Sequence, residues 1–345
     1  MKKLALKRKK KVDQQPQSRI TNETVAEHRE KILAGGRKFK YPHQYVRHKL
    51  VINAILIAVV VVGVVVTLGW WQLYKVQNTS DFMYRVTRVL PLPVASVDGE
   101  QVQYSDYLMR YRSQELYLQK DGQLGLDAAS DQKQLNFHKR AVLDDIERDA
   151  YALKIAKERG ITVSDEEVQA AIDQERDTVT GKISQEVYDA STRDILGYSP
   201  DEYRHSLQQS LIRHKVGYSV DEDAGKLRDM VAADLAKQGK KLNLQAVVEH
   251  YKKAGSAIEF GASGTVTKSN RDGGITKAAA NLTPGQLSGA VESTTGDGYY
   301  FIQLRTVSQK KLSYEYIRIP LKKFETMFDQ LKKDNKIQEY IKIAT

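Results

Sequence analysis

The sequence predicts a mostly helical α+β protein with a single transmembrane helix, on three observations. Leu50 to Leu73 is an apolar run of 24 residues without a formal charge. Residues 94–220 repeat apolar positions at helical spacing between helix start and stop signals. Residues 221–345 combine helical segments with two strand-like apolar runs, 298–304 and 314–319. We therefore expect a membrane helix, a helical domain and a small α+β domain.

The composition excludes several classes of chemistry. The chain has 345 residues, enough for two or three compact units. It has no cysteine, which excludes disulfides, thiolate metal sites and thiol nucleophiles. No His, Asp or Glu residues have the spacing of a zinc site, and no phosphate-binding loop is present. We therefore expect neither a metal nor a cofactor.

The net charge of +11 lies entirely in the N-terminal segment. Residues 1–49, predicted as a basic cytoplasmic tail, carry 15 Lys and Arg against 4 Asp and Glu, and the rest of the chain is neutral. These charges either only set the membrane topology or also bind anionic lipid, at about 1 kcal/mol per residue near the surface, or RNA nonspecifically. No aromatic or Gly-rich RNA-binding pattern accompanies them, so no specific nucleic-acid partner is expected.

The apolar run 50–73 has the length of a membrane span. As a helix it measures roughly 36 Å, against about 30 Å for the hydrocarbon core of a bilayer. In lipid every backbone group must be bonded internally, so the run has to be helical in spite of its many Val residues. A cleaved signal would have a shorter apolar region close to the N-terminus. We therefore expect an uncleaved anchor in contact with membrane lipid.

The residues that flank the span predict its orientation. Arg47 and Lys49 precede it, whereas Trp70 and Trp71 lie at its other end and suit the aromatic belt of a membrane interface. Positively charged flanks stay on the cytoplasmic side. The N-terminus is therefore expected in the cytoplasm, and residues 75–345 outside the cell membrane.

The outer portion is predicted to begin with a linker and a hairpin. Residues 74–93 are first polar and then contain two Pro, which is typical of a linker. Residues 94–102 form a strand, an Asp98-Gly99 turn and a second strand.

Residues 94–220 are predicted to form a helical domain behind this hairpin. Gly160 follows a Lys- and Arg-containing turn and ends one helix. Capping-box sequences begin the helices at Ser164 and Ser199.

Residues 221–345 are predicted to be α+β. A helical segment over 226–251 breaks near Gly239, and strands follow over 298–304 and 314–319. A closing helix is predicted over 324–343, with its apolar residues on one side.

Three motifs in order resemble the N-terminal domain of SurA-type chaperones: the hairpin 94–102 with the helix after it, the run Ala141 to Val168, and the run Tyr198 to Arg204. This group includes membrane-anchored foldases of the PrsA and PpiD type. The resemblance covers about residues 94–216. It implies a helical domain that binds unfolded or exported polypeptides.

Three later motifs resemble a parvulin peptidyl-prolyl isomerase domain: Asp272-Gly273-Gly274, the run Leu282 to Val291, and the run Gly298 to Leu304. The resemblance implies that Tyr300, Asp272 and His214 are the candidate catalytic residues. Tyr300 stands where the family has a histidine, and the run 275–281 lacks the Met and Phe of the prolyl pocket. His214 is either the histidine of the first strand or part of the preceding helix. We therefore expect weak or absent isomerase activity.

Four aromatic residues are candidates for a client-binding surface: Tyr107, Tyr111, Tyr117 and Phe137. Packing in the core is the alternative for each of them. The leading hypothesis is a membrane-anchored extracytoplasmic chaperone or foldase. An active parvulin-type isomerase and a non-catalytic interaction protein of the cell envelope are the alternatives.

Overall fold

The computed structural model describes residues 21–40, 42–122, 128–178, 181–239 and 242–344. It divides into two compact units, Met1–Trp70 and Trp71–Thr345. The first unit holds helix α1 (Asn22–Lys40) and most of helix α2 (Pro42–Trp71). Among the described residues one helical stretch, His48–Val76, is long and apolar enough to cross a membrane, and none of its apolar window is buried. The predicted span 50–73 lies inside this stretch.

The second unit is α+β and mostly helical, which confirms the predicted fold class. Its helices are α3 (Asp81–Val89), α4 (Tyr104–Lys120), α5 (Ala128–Arg159), α6 (Asp165–Arg176), α7 (Gln185–Leu196), α8 (Pro200–Val220), α9 (Glu222–Gln238), α10 (Leu244–Lys253), α11 (Ile275–Ala280) and α12 (Lys323–Lys333). Its strands are β1 (Pro93–Val97), β2 (Glu100–Gln103), β3 (Asp177–Thr178), β4 (Gly181–Lys182), β5 (Glu259–Ala262), β6 (Val266–Thr267), β7 (Val291–Glu292), β8 (Gly298–Val307), β9 (Lys311–Pro320) and β10 (Ile337–Glu339).

Helices α4, α5 and α8 pack together as the centre of the helical region. Both predicted capping boxes are confirmed: the Ser164 and Ser199 side chains each accept from the backbone of the third helical residue, whose Glu bonds back. Helix α5 ends before Gly160, which takes a φ of 67°. These ends depend on bonds within a few residues, which is why the sequence predicts them.

The predicted hairpin is confirmed, but its sheet has a third strand. Strands β1 and β2 are joined through Asp98 and Gly99, both at positive φ. Strand β10 pairs antiparallel with the other edge of β1, which gives the order β10-β1-β2. The C-terminal segment therefore returns to the hairpin that opens the outer portion.

The closing helix predicted over 324–343 is correct only in its first half. Helix α12 ends at Lys333, and Asn335 takes a left-handed φ of 54° that turns the chain into β10. The apolar residues Phe324, Phe328 and Ile341 lie in the same core cluster as α4 and α5. Helical spacing alone assigned residues 337–339 to the closing helix. They are instead extended, because they pair with β1 as strand β10.

Residues 74–93, predicted as a linker, contain ordered structure. A π-helical turn, Gln72–Val76, is followed by α3, which Ser80 caps. Leu73 is buried, and its carbonyl accepts from the Tyr104 hydroxyl at 2.6 Å. The Tyr84 hydroxyl of α3 donates to Glu202 of α8. Packing and these long-range bonds order the segment.

The second sheet has five antiparallel strands in the order β5-β9-β8-β7, with β6 also paired to β9. One face of β8 presents Tyr299 and Phe301 to a core shared with α9 and α10. The other face presents Tyr300, Ile302 and other apolar residues to a core shared with α11. Burial on both faces explains why 298–304 is apolar without alternation.

Glu147 of α5 is fully buried, and neither carboxylate oxygen has a hydrogen-bond partner among the described residues. The Arg140 guanidinium lies 3.7 Å from it. Burial, with Glu339 nearby, raises the pKa of Glu147 from 4.5 to about 7. The folded chain therefore keeps a proton that the unfolded chain releases between these values, and the stability due to this group falls as the pH rises through that window.

We expect Glu147→Gln to match the wild type at about pH 4 and to exceed its stability by up to about 3 kcal/mol at about pH 8. Glutamine keeps the shape of the side chain and has no charge to desolvate. Urea unfolding of both chains in detergent across this pH range measures the difference. A difference that does not change with pH contradicts the prediction.

Candidate functional site

Tyr300, the first candidate catalytic residue, lies in β8, and its hydroxyl makes a hydrogen bond. The hydroxyl donates to Asp297 Oδ2 at 2.6 Å, and the side chain is 8% exposed. Burial and this bond raise the pKa of Tyr300. The phenol is therefore neutral at physiological pH, and its proton is directed at the carboxylate of Asp297, in the β7–β8 turn (residues 293–297).

Asp272, the second candidate, acts as a structural cap. Its Oδ1 accepts from the backbone N–H of Thr276 at 2.9 Å, at the start of α11. Its Oδ2 accepts from the hydroxyls of Thr276, at 2.6 Å, and Tyr314. The carboxylate is therefore occupied by bonds that hold the Gly-Gly loop and α11 against β9.

His214, the third candidate, lies in α8 and not in a strand, which decides between its two interpretations. Its Nε2 is 3.3 Å from Ser210 Oγ. Burial and the adjacent Arg213 lower the pKa of His214 to about 4, so the ring is neutral at pH 7. Gly296 packs on the ring so closely that a Cβ there would come within 2.5 Å of Cδ2.

The structure brings two of the three candidates to one turn. His214 contacts this β7–β8 turn at Gly296, and Tyr300 bonds to it at Asp297. Asp272 is connected less directly. Asp272 accepts from the Tyr314 hydroxyl, and the Tyr314 ring packs against the Tyr316 ring with the centroids 6.1 Å apart. The Tyr316 ring in turn packs against the Tyr300 ring, with the centroids 5.5 Å apart.

Sequence reasoning missed Asp297, Tyr314 and Tyr316. Tyr314 and Tyr316 alternate along β9, and this period of two could have placed both on one face of the strand. Asp297 lies in a turn of small polar residues, where no sequence pattern distinguishes it.

A cleft of about 560 Å³ adjoins this turn. It is lined by α5, α8, the β7–β8 turn and the start of α12. Arg213 donates to Asp145 at 2.6 Å, and Arg148 donates to Glu325 at 3.0 Å, so the charged walls are paired. Phe324 supplies an apolar wall. Paired charges beside an apolar wall suit an uncharged chain with polar and apolar groups better than a free ion.

The four candidate client-binding residues separate into two pairs. Tyr107 and Tyr111 of α4 are 0% and 2% exposed and stack with their centroids 6.1 Å apart, so they are core residues and the prediction of a surface role for them is corrected. Tyr117 and Phe137 are 50% and 70% exposed. Tyr117 is turned about 100° from the buried Leu118, which places its ring outside the core.

Among the residues that the structure describes, no group of three or more His, Asp or Glu side chains could hold a metal ion.

The hairpin and the helices behind it form a helical domain, and the candidate membrane span precedes this domain along the chain. Residues 44–217 match the family described as the SurA-like N-terminal domain, over half of the chain. The chain belongs to this family. Membership suggests a chaperone-type role and implies binding of polypeptide substrates. Comparison with curated proteins finds no match.

Proposed function

We propose that this protein is a chaperone or foldase, anchored in the cell membrane by residues 50–73, that binds unfolded exported polypeptides. The observation that carries the proposal is the family match, which begins before the apolar stretch and continues through the helical region to residue 217. The basic residues before this stretch and the two Trp at its end support a cytoplasmic N-terminus and an extracytoplasmic second unit.

We also propose that residues 94–220, together with the returning segment 323–343, form the chaperone domain. The shared core cluster and the β1–β10 pairing support this division. The region between them, 221–322, is then the parvulin-like domain.

Client binding is proposed at the exposed aromatic side chains Tyr117 and Phe137 and at the cleft beside Phe324. Burial of apolar area contributes about 25 cal/mol per Å² before the cost of ordering the client. Two exposed rings and one cleft wall give a modest affinity. Binding of this kind does not depend on a particular client sequence.

We expect the full-length protein in lipid nanodiscs to delay aggregation of a chemically unfolded client, and the double variant Tyr117→Ser, Phe137→Ser to lose most of this delay. Both rings are exposed, so the variant keeps the fold. Light scattering during dilution of the client from denaturant measures the effect.

The matched control is Val307→Ser, which removes an exposed apolar side chain at the end of β8. It should delay aggregation as the wild type does. The chaperone proposal is wrong if the wild type has no effect on aggregation. Capture of one stoichiometric partner in place of many unfolded ones would instead favour a non-catalytic envelope protein.

We further propose that isomerase activity is weak or lost. Catalysis has to lower a barrier of about 18–20 kcal/mol to rotation of the prolyl amide. The Tyr300 hydroxyl is directed at Asp297, the Asp272 carboxylate caps α11, and neither is free to act on a substrate. His214 is uncharged and lies in α8 behind Gly296.

A protease-coupled assay with a proline-containing peptide is therefore expected to show no acceleration at micromolar protein. The variant Tyr300→Phe, which removes only the hydroxyl, should give the same trace as the wild type. Acceleration that Tyr300→Phe abolishes would establish the active-isomerase alternative.

A further inference from the structure

Helix α3 is short and has two sides of different character. Tyr84 and Thr87 face inward and are buried. Phe82, Arg85 and Val89 follow one another at helical spacing on the outer side. Phe82 is 68% and Val89 80% exposed. We call these three outer residues the α3 face.

The charge on the α3 face is unbalanced. Arg85 has no hydrogen-bond or ion-pair partner among the residues that the structure describes, whereas Arg88 beside it lies 3.5 Å from Glu202. An unpaired guanidinium between two exposed apolar side chains matches the boundary of an anionic bilayer. There, acyl chains receive the apolar groups and phosphates receive the arginine.

The chain keeps α3 close to the end of the candidate span. Phe82 follows Trp71 by 11 residues. Five residues of the connection, Gln72–Val76, are helical, so the two residues are no more than about 30 Å apart. The helix stops at Gln77, which takes a left-handed φ of 54°, and does not extend further. A tether this short gives a weak surface contact a high effective concentration.

We propose that the α3 face docks on the surface of the bilayer that holds the anchor, with Phe82 and Val89 among the acyl chains and Arg85 on an anionic phospholipid headgroup. The inference rests on the anchored topology of the proposed function. The basic tail is not involved, because under that topology it lies on the cytoplasmic side.

The absence of cysteine allows a direct test in the full-length chain. Leu90→Cys places an environment-sensitive fluorophore beside the α3 face, at a half-exposed position, and leaves Phe82, Arg85 and Val89 in place. The protein is reconstituted in vesicles of equal parts phosphatidylglycerol and phosphatidylethanolamine, with a share of lipid that carries a nitroxide near the headgroup. We expect clear quenching of this label.

Two reporters serve as controls. A label at Val187→Cys, exposed to 56% on α7, should show much less quenching. A label at Leu68→Cys, exposed to 56% and close to the Trp70 end of the candidate span, should be quenched whether or not α3 docks. Quenching at 68 with equal quenching at 90 and 187 overturns the docking inference alone. No quenching at 68 overturns the anchor, and with it both proposals.

Two substitutions in the Leu90→Cys background test whether Arg85 and Phe82 contact the lipid. Arg85→Gln should lower the ratio of docked to undocked protein about fivefold in anionic vesicles, and should have little effect in phosphatidylcholine vesicles. Phe82→Ser should lower the ratio in both. If neither changes quenching, or if only an added unfolded client shifts the label, the face is not a lipid site and the inference is wrong.

Discussion

The variant Phe328→Ala is expected to lower the free energy of unfolding of the second unit by about 3–5 kcal/mol. Phe328 of α12 is 0% exposed. Its ring lies 6.1 Å from the Tyr151 ring of α5, centroid to centroid, and the Arg148 guanidinium lies over it at 4.8 Å. Truncation leaves a cavity between α12 and α5 and removes the apolar contact that holds the returning C-terminal segment.

Urea unfolding of the full-length chain in detergent, followed by near-ultraviolet circular dichroism, measures this loss. Phe137→Ala is the matched control, since it removes the same side chain from an exposed position on α5. It should change stability by no more than about 0.5 kcal/mol. Equal losses for the two variants would contradict the packing of α12 on the helical core.

The variant Asp149→Ala is expected to cost about 3–5 kcal/mol of stability. Asp149 is 5% exposed and bonds to Arg110 of α4, and it also lies 3.0 Å from Arg213 of α8. The Asp149 carboxylate therefore links α5 to α4 and to α8 through ion pairs with the two arginines. Among the described residues, its removal leaves Asp145 as the one carboxylate that pairs with both guanidinium groups, and the Arg110 side chain is only 12% exposed to water.

Asp173→Ala is the matched control for this prediction. Asp173 also pairs with two cations, Arg176 at 2.9 Å and Lys182 at 3.2 Å, but its side chain is 40% exposed. Exposed pairs of this kind contribute about 0–1 kcal/mol. The same unfolding measurement compares the two variants. A loss at Asp149 no larger than at Asp173 would show that water still reaches the interhelical charges.

Several predicted elements follow from short-range chemistry. The sequence predicts the helix over the apolar stretch because 24 residues without charge have few alternatives to a helix in lipid. The sequence predicts the capping boxes at Ser164 and Ser199 because each serine and its glutamate partner lie three residues apart. The break between α9 and α10 falls at Gly239, as its sequence predicts.

The candidate sites were less predictable because their geometry depends on distant contacts. Helical spacing shows that Tyr107 and Tyr111 share a face, but only packing against α5 shows that this face is buried. His214 belongs to α8 because that helix continues to Val220. Asp297 bonds to Tyr300 through a turn that has no distinguishing sequence.

The sequence by itself therefore determined the apolar stretch, the helix ends and the hairpin, since each depends on residues that are neighbours along the chain. Tertiary structure alone decided that β10 returns to β1 and that residues 74–93 are ordered. The physical reason is the same in both cases. An apolar face is buried only when another element covers it, and the covering element here comes from a distant part of the chain.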